Sequence, residues 1–385
     1  MVKDIPLSST DVLTDKGWIH FTELTMKHKV ATLMEDGQSM RYTTPLEVMS
    51  YDFKGEMYSI QSNHVDLLVT PNHRMYVGNR DGDRFDFKLA EELYGKRVTY
   101  KKNIEAYLPP TEGRPAELSY IHAVTGETMD EPQAFVLHDD EQNHLSIPMN
   151  DWLTLFGIWM AEGCMLRSWG VSFATHKQRV KDALESICDR TGLEIRKHKD
   201  DATDMVRNAW CLIDKRLINY IKPLSVGAIH KSLPSWVWYL TSEQCRVLIH
   251  GMMLGDGHTM ANGTRRYDTS SQKLADDFQR LCLHAGYSTN IAVKYSAGHE
   301  ATIVKGDRKG EMIRSNVDAY RLTIIETQNT PKVNKNIKPN GDDRHDSWVP
   351  YEGKVYCCRV EGPGAVYVRR NGTPVWSGNS RHGSL

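Results

Sequence analysis

The stretches LFGIWMAEG (155–163) and IHGMMLGDG (249–257) superimpose at an offset of 94 residues, and the agreement runs on well past them without a gap. At that offset Gly157 meets Gly251, Thr175 meets Thr269, Gln178 meets Gln272, Asp182 meets Asp276, Cys188 meets Cys282 and Gly192 meets Gly286. Apolar positions match too, Val180 with Leu274, Leu184 with Phe278 and Ile187 with Leu281. Self-similarity at one fixed spacing marks a duplicated supersecondary unit. Each copy reads as an apolar helix ending in an acid and a glycine, then a polar strand region. An amphipathic helix follows (KQRVKDALESICDRTG, SQKLADDFQRLCLHAG), with glycine as its stop signal.

The first helix of each copy carries small residues four apart, Gly157 and Ala161 in one, Gly251 and Gly255 in the other. Such spacing lets two helix backbones approach closely, so the two helices are expected to pack on each other. Glu162 and Asp256 then fall at the same end of the pair. Two carboxylates brought together repel unless a cation lies between them. A single acid followed by glycine is an ordinary helix end, but the matched pair points to an Mg²⁺ site with Glu162 and Asp256 as ligands.

A second, weaker repeat relates FKGEMYSI (53–60) to YEGKVYCC (351–358). It predicts that the N- and C-terminal arms form one pseudo-symmetric β domain into which residues from about 105 to 345 are inserted, an arrangement tolerated where the ends of the insert lie close together. Runs such as VLTDKGWIHF, DLLVTPNHRMYV and AVYVRRNGTPVW, broken by DKG, EDG and NG, read as short strands and turns. Charge divides the insert: residues 105–150 hold nine acids against Arg114 alone, whereas 151–335 hold 26 Lys+Arg against 20 Asp+Glu. A basic domain thus follows an acidic connector, which permits phosphate contacts without demanding them. Seven cysteines without a CxxC pair argue against a disulfide framework or structural zinc. No run approaches the length of a membrane helix and MVKDIPL has no apolar signal core, so an intracellular protein, in the cytoplasm of a microbial or phage-infected cell, is expected.

Late in the chain stands VWSGNS (375–380). An asparagine can attack its own backbone carbonyl through its side-chain nitrogen, closing a succinimide and cutting the peptide bond behind it. Here the next residue, Ser380, is a hydroxyl nucleophile. An isolated Asn-Ser pair is usually a surface turn, but it does not stand alone. With the opening IPLSSTDVLTDKGW (5–18), the box Thr70-Pro71-Asn72-His73, the helices ending Glu162-Gly163 and Asp256-Gly257, and VYCCRVEGPG (355–364), the chain resembles an intein of the hedgehog/intein type interrupted by a LAGLIDADG homing endonuclease.

The resemblance implies a β-rich, discontinuous Hint (horseshoe) splicing domain with an inserted α/β pseudo-twofold LAGLIDADG endonuclease domain. The expected bounds are 1–3 for the N-flank, 4–120 and 345–379 for the splicing domain, and 121–150 for the acidic connector. The endonuclease would span 151–335, in repeats of about 151–240 and 245–335, and 380–385 would be the C-flank, the host sequence resuming there. By the resemblance Thr70 and His73 grip the amide at the N-terminal junction, Asn379 cyclises to release the C-terminal flank, and Ser380 receives the acyl chain. Splicing would need no cofactor. The endonuclease would need Mg²⁺, with a double-stranded DNA homing site and the host extein flanks as partners, no membrane, and a monomeric state.

Two positions depart from the family's pattern. Where it opens on Cys or Ser, this chain has Asp4, a poor acyl acceptor at neutral pH; Ser8 or Ser9 would leave an unusually short lead-in to Thr10. Cys358 stands where a minority class lacking the first nucleophile places an internal cysteine, although that class also carries a Trp where Met75 stands here. At the penultimate position, where a histidine often assists Asn cyclisation, the chain has Gly378; His20, His28 and a water are the candidates to replace it. Other function classes are a DNA-binding module that does not cut, which has no need of the matched acids, and a hedgehog-like processing domain, which lacks a terminal Asn and following Ser. The alternative within the family is a splicing-impaired intein that keeps a DNA-binding LAGLIDADG domain without cleavage activity.

Overall fold

A computed structural model of the chain describes residues 10–379, apart from 80–81, 83, 142, 167–168, 199–208, 303–309 and 336–343. The chain divides into two compact units: one takes in the residues up to Leu108, Gly286–Ala292 and those from Ile324 on, the other Pro109–Ala285 and Val293–Thr323. The first is β-rich and discontinuous, and the second is α/β. This is the fold class the sequence pointed to. Among the described residues no helix is long and apolar enough to cross a membrane.

The spine of the first unit is a ladder between the strand Glu47–Gln61 and the strand Asp346–Arg359, antiparallel along the whole of the latter. These strands contain the weak repeat. Its offset, Gly55 to Gly353, also takes Lys54 to Glu352, and Lys54 is paired opposite Glu352 in the ladder, with their exposed side chains 2.9 Å apart. The pseudo-dyad therefore runs through this pair, and each strand is laid against its own copy. The two arms interlock again where Thr10–Thr14 pairs with Val366–Arg370. That strand turns through Asn371 and Gly372, both at positive φ, into Thr373–Ser377, the Asn-Gly chemistry that a tight hairpin requires. Arg369 closes on Asp11 and Arg370 on Asp66, each at 2.8 Å. Inward-facing residues from both arms, among them Val12, Tyr58, Leu67, Met75, Cys358 and Val375, form one core.

In the second unit α1 (Met149–Glu162) opens the first half and α2 (Gln178–Thr191) follows, stopped by Gly192 at φ 72°. The short helix α3 (Lys215–Ile221) precedes the second half, which repeats the plan with α4 (Ser242–Gly255) and α5 (Gln272–His284). The two four-stranded sheets share one strand order, Gly163–Leu166, Gly170–Ala174, Ala209–Leu212 and Ile195–His198 in one, Gly257–Thr259, Arg265–Thr269, Ala319–Ile325 and Ser288–Tyr295 in the other. The segment that reads as an acidic connector contributes the hairpin Ala134–His138 and His144–Pro148, whose Phe135 ring stacks on Trp152 of α1 at 4.1 Å. The helices α1 and α4 touch backbone to backbone. A Cβ on Gly157 would lie 2.7 Å from the Met252 nitrogen, and one on Gly251 would lie 2.7 Å from the Thr154 oxygen.

Because backbone atoms cannot swing aside as side chains do, Gly251→Ala is expected to cost about 1–3 kcal/mol through forced separation of the helices. Gly170→Ala, whose new methyl would find its nearest neighbours at 3.8 Å, should leave stability nearly unchanged. Urea unfolding of the two variants checks the difference.

Candidate functional site

In the first unit the strand Asp66–Val69 ends at Thr70, Pro71 and Asn72 make a turn, and the chain re-enters a strand at Arg74–Gly78. The turn closes itself: Thr70 Oγ1 donates to Asn72 Oδ1 at 2.8 Å and the His73 N–H to the Thr70 carbonyl at 3.0 Å. The box is thereby fixed against the C-terminal strand, where His73 Nε2 and Ser377 Oγ share a hydrogen bond of 2.9 Å. Burial first, and the neighbouring Arg74 charge second, push the His73 imidazole down to about 4, so the ring is neutral at neutral pH.

One residue on, the Arg74 backbone N–H donates to the Asn379 carbonyl oxygen at 3.2 Å, and its Nη1 donates to Asn379 Oδ1, also at 3.2 Å. The guanidinium lies 4.1 Å from the centre of the Phe87 ring, a cation–π contact. Asn379 itself is buried. A cavity of about 100 Å³ adjoins it, lined among others by Thr70, His73, Cys357, Cys358, Ser377 and Gly378. Thr70, His73 and Cys358 are thus brought to one cavity, with Asn379 next to its wall. Asp4 and Ser380 lie outside the described residues, as do Ser8 and Ser9. Cys358 is part of the core, and burial pushes its thiol well up. Met75 is packed in the same core.

Gly378 has a steric reason. A Cβ there would lie 2.2 Å from the Arg74 carbonyl oxygen and 2.7 Å from the Phe87 ring, so no side chain fits. Of the histidines considered for its place, His20 lines the same cavity, with its Nδ1 meeting Thr22 Oγ1 at 2.7 Å, while His28 Nδ1 accepts the Thr25 N–H at 3.1 Å. The sequence reading missed Arg74 and Ser377. The available signal was the arginine directly after the box, set beside a penultimate residue without a side chain.

In the second unit α1 ends on Glu162 and α4 on Gly255, with Asp256 as its cap. A Cβ on Gly255 would lie 2.3 Å from Ala161 Cβ and 3.0 Å from Glu162 Cγ, so the helix ends are in contact and the two acids are neighbours. Burial, then the Glu162 charge, pushes the Asp256 carboxyl up to about 6, against the pull of Lys177 and Lys231. Cations already gather on these oxygens. Lys177 Nζ lies 2.5 Å from Glu162 Oε1 and 2.6 Å from the Gly255 carbonyl oxygen. Lys231 Nζ donates to the carbonyls of Trp159, Met160 and Gly163 at 3.2, 2.8 and 3.0 Å. That is the negative end of a helix dipole. Among the described residues no three or more His, Cys, Asp or Glu cluster as a ready metal cage. The hard oxygens of the two carboxylates, Glu162 and Asp256, and of the neutral Gly255 carbonyl nevertheless suit Mg²⁺, which keeps most of its shell for water and phosphate.

Residues 243–338 match the family of LAGLIDADG-like domains. Over 96% of its length the chain is 32% identical to part of the DNA-directed RNA polymerase subunit beta C-terminal section of Stigeoclonium helveticum, covering 36% of that protein. Over 97% of its length it is 28% identical to part of an ATP-dependent Clp protease proteolytic subunit of Chlamydomonas moewusii, covering 45% of it. The chain thus spans less than half the length of the curated relatives it matches. Among solved structures, a splice-inactive, glutathione-linked variant of the AceL NrdHF class 3 split intein is 22% identical, with 36% of this chain and 94% of that chain covered at a TM-score of 0.23. One chain is thus similar to part of a polymerase subunit and to part of a protease subunit, and it carries a LAGLIDADG-like domain at 243–338; in this it is similar to the inteins that carry an inserted LAGLIDADG homing endonuclease domain.

Proposed function

We propose that the chain excises itself by protein splicing and that its inserted domain cuts double-stranded DNA at a homing site. The observation that carries the first part is the His73–Ser377 hydrogen bond, which fastens the Thr70–His73 box to the strand leading into Asn379 beside the Cys358 cavity. Thr70 and His73 hold the Lys3–Asp4 amide. Cys358 Sγ attacks the Lys3 carbonyl carbon, the bond to the Asp4 nitrogen breaks, and neutral His73 carries the thiol proton to the departing amine. A base is needed because burial holds the thiol protonated. Ser380 Oγ then displaces the thioester, Asn379 cyclises and frees the Ser380 amine, and that amine takes the acyl group from its own oxygen to leave a peptide bond between the flanks. Bounds of 4–120 and 345–379 for the splicing part, with 151–335 for the endonuclease, belong to this reading.

In the endonuclease Glu162 and Asp256 would hold Mg²⁺, which when bound supplies an activated water and stabilises the leaving oxygen of a phosphodiester. Lys177 and Lys231 keep the two acids and the helix ends positioned, and the polar sheet strands of the two halves read base edges while Lys and Arg hold phosphates.

With reporter proteins at both ends, the parent chain is expected to yield ligated reporters by mass. Cys358→Ala should abolish N-terminal cleavage and Cys357→Ala should not, while Asn379→Ala should keep a thiol-releasable N-terminal thioester and lose C-terminal release. Splicing by Cys358→Ala at the parent rate would move the attack to Ser380 on the Lys3 carbonyl. Cleavage appearing only in Asp4→Cys would make Asp4 an inactivating residue.

For the second activity, Glu162→Gln and Asp256→Asn should each lower Mg²⁺-dependent cutting of a host-site library by roughly a hundredfold or more and spare DNA binding. A parent chain that binds but nicks nothing would favour the non-cleaving alternative.

The His73 shift has a sign that can be read in stability. Its folded value of about 4 lies below the ordinary 6.5, so between the two the unfolded chain binds the extra proton. Stability is full above about pH 6.5 and falls as pH drops toward about 4, more gently than the about 1.4 kcal/mol per pH unit of one fully enclosed proton. His73→Gln should remove that part of the slope in urea titrations at stepped pH.

A further inference from the structure

The sheet of the second half carries a charged cluster on the face turned away from its helices. Tyr267 is fully buried and stacks on Phe278 of α5 at 4.4 Å, so its neighbour Asp268 projects from the other side of the strand Arg265–Thr269. On the adjoining strand Ala319–Ile325, Leu322 and Ile324 are buried, which sends Arg321 to the same side as Asp268. Arg321 Nε donates to Asp268 Oδ1 at 2.9 Å and its Nη2 to Oδ2 at 2.8 Å. Lys294 Nζ reaches the same Oδ2 at 2.7 Å from the strand Ser288–Tyr295, and all three side chains stay partly exposed. We infer that Arg321, oriented by Asp268, is a specificity-determining residue that reads one guanine in the major groove of the DNA half-site facing the second half. This rests on the DNA-binding reading above.

The donors left over identify the base. The pair with Asp268 uses the Nε and Nη2 side of the guanidinium. That leaves the end of the fork, Nη1 with the outer hydrogen of Nη2, to present two parallel N–H donors. Two parallel donors need two adjacent acceptors. In the major groove guanine alone offers them, N7 and O6; adenine and cytosine present an amino donor there, and thymine a lone acceptor beside its methyl group. Against the pull of burial, hydrogen bonds from Arg321 and then Lys294 hold the Asp268 carboxyl below its ordinary value, so at neutral pH it is an ionised acceptor that keeps both cations in place. A fork fixed beforehand spares the side-chain freedom that binding would otherwise cost. The carboxylate also offsets the arginine's charge, which suits Arg321 to a base edge better than to a phosphate.

The first half has no such device. At the offset of 94 residues Asp268 meets Ala174, and Arg266, two residues earlier on the same face, meets Ser172. The two sheets share a strand order but not a reading surface. The recognised site is therefore asymmetric, and this guanine has no mirror-image partner in the other half-site.

The test uses the full chain and a library of random-sequence duplexes, from which bound sites are selected and sequenced, with melting curves for each variant. Changing one selected G·C pair to A·T is expected to weaken the parent's binding by about 5- to 150-fold. Arg321→Gln should lose the guanine preference at that position alone, and Arg321→Lys, which keeps the charge without the fork, should lose it too. Asp268→Asn, a change in the positioning residue, should blunt the same position and no other. Should one arginine variant fail to melt cooperatively, the other carries the comparison. If Arg321→Gln instead weakens binding to every sequence alike and lowers the salt slope by about one, Arg321 holds a phosphate, and the inference fails while DNA binding stands. A folded arginine variant that keeps the parent's full site preference overturns it equally. A parent chain that selects no sequence from the library overturns the DNA-binding reading and this inference with it.

Discussion

One antiparallel ladder holds the first unit together, joining Glu47–Gln61 to Asp346–Arg359 across most of the chain. Most of the sequence between those strands, Pro109–Ala285 and Val293–Thr323, is for this unit an excursion. Closing a loop costs entropy that grows only with the logarithm of its length, so a domain-sized insert costs little more than a long surface loop once the ladder forms. The ladder also sets the chemistry. It delivers Cys358 to the cavity from one arm, Thr70 and His73 follow from the strand next to Glu47–Gln61, and the hairpin through Asn371 and Gly372 brings Asn379 to the same place.

The second unit solves a different problem, that of keeping two acids close. Glycine at 157 and 251 draws α1 and α4 into backbone contact, and the geometry that brings the helix ends together also crowds Glu162 and Asp256. The protein offsets this crowding with ammonium groups on the carboxylate and carbonyl oxygens, yet Asp256 still holds its proton more tightly than usual. Lys177 ties the two helix ends together at this point, bonding Glu162 on one and the Gly255 carbonyl on the other.

Much of this was legible because it repeats. The offset of 94 residues exposed the helix pair and the matched acids directly, and the weaker repeat foreshadowed a ladder in which Lys54 faces Glu352. The segment from 121 to 150 was harder to read, since its net charge suggested a connector while alternate apolar residues, Phe135, Leu137 and Ile147, put a hairpin into the second unit's core. Arg74 was invisible for another reason. Its importance lies in its distance from Asn379, a pair separated by 305 positions with no local pattern to link them. Sequence periodicity reports what a helix or strand does with its own neighbours, and a contact of this kind leaves no trace in it.

The bare position at Gly378 also limits the future of this chain. The nearest obstacle to a side chain there is a main-chain oxygen, which no substitution can remove. Shrinking Phe87 would clear the second obstacle and leave the first. A histidine at 378 is therefore not one mutational step away but behind a rearrangement of the strand that carries the box itself, and every intermediate along that route would have to keep His73 and Thr70 in place while their backbone shifted.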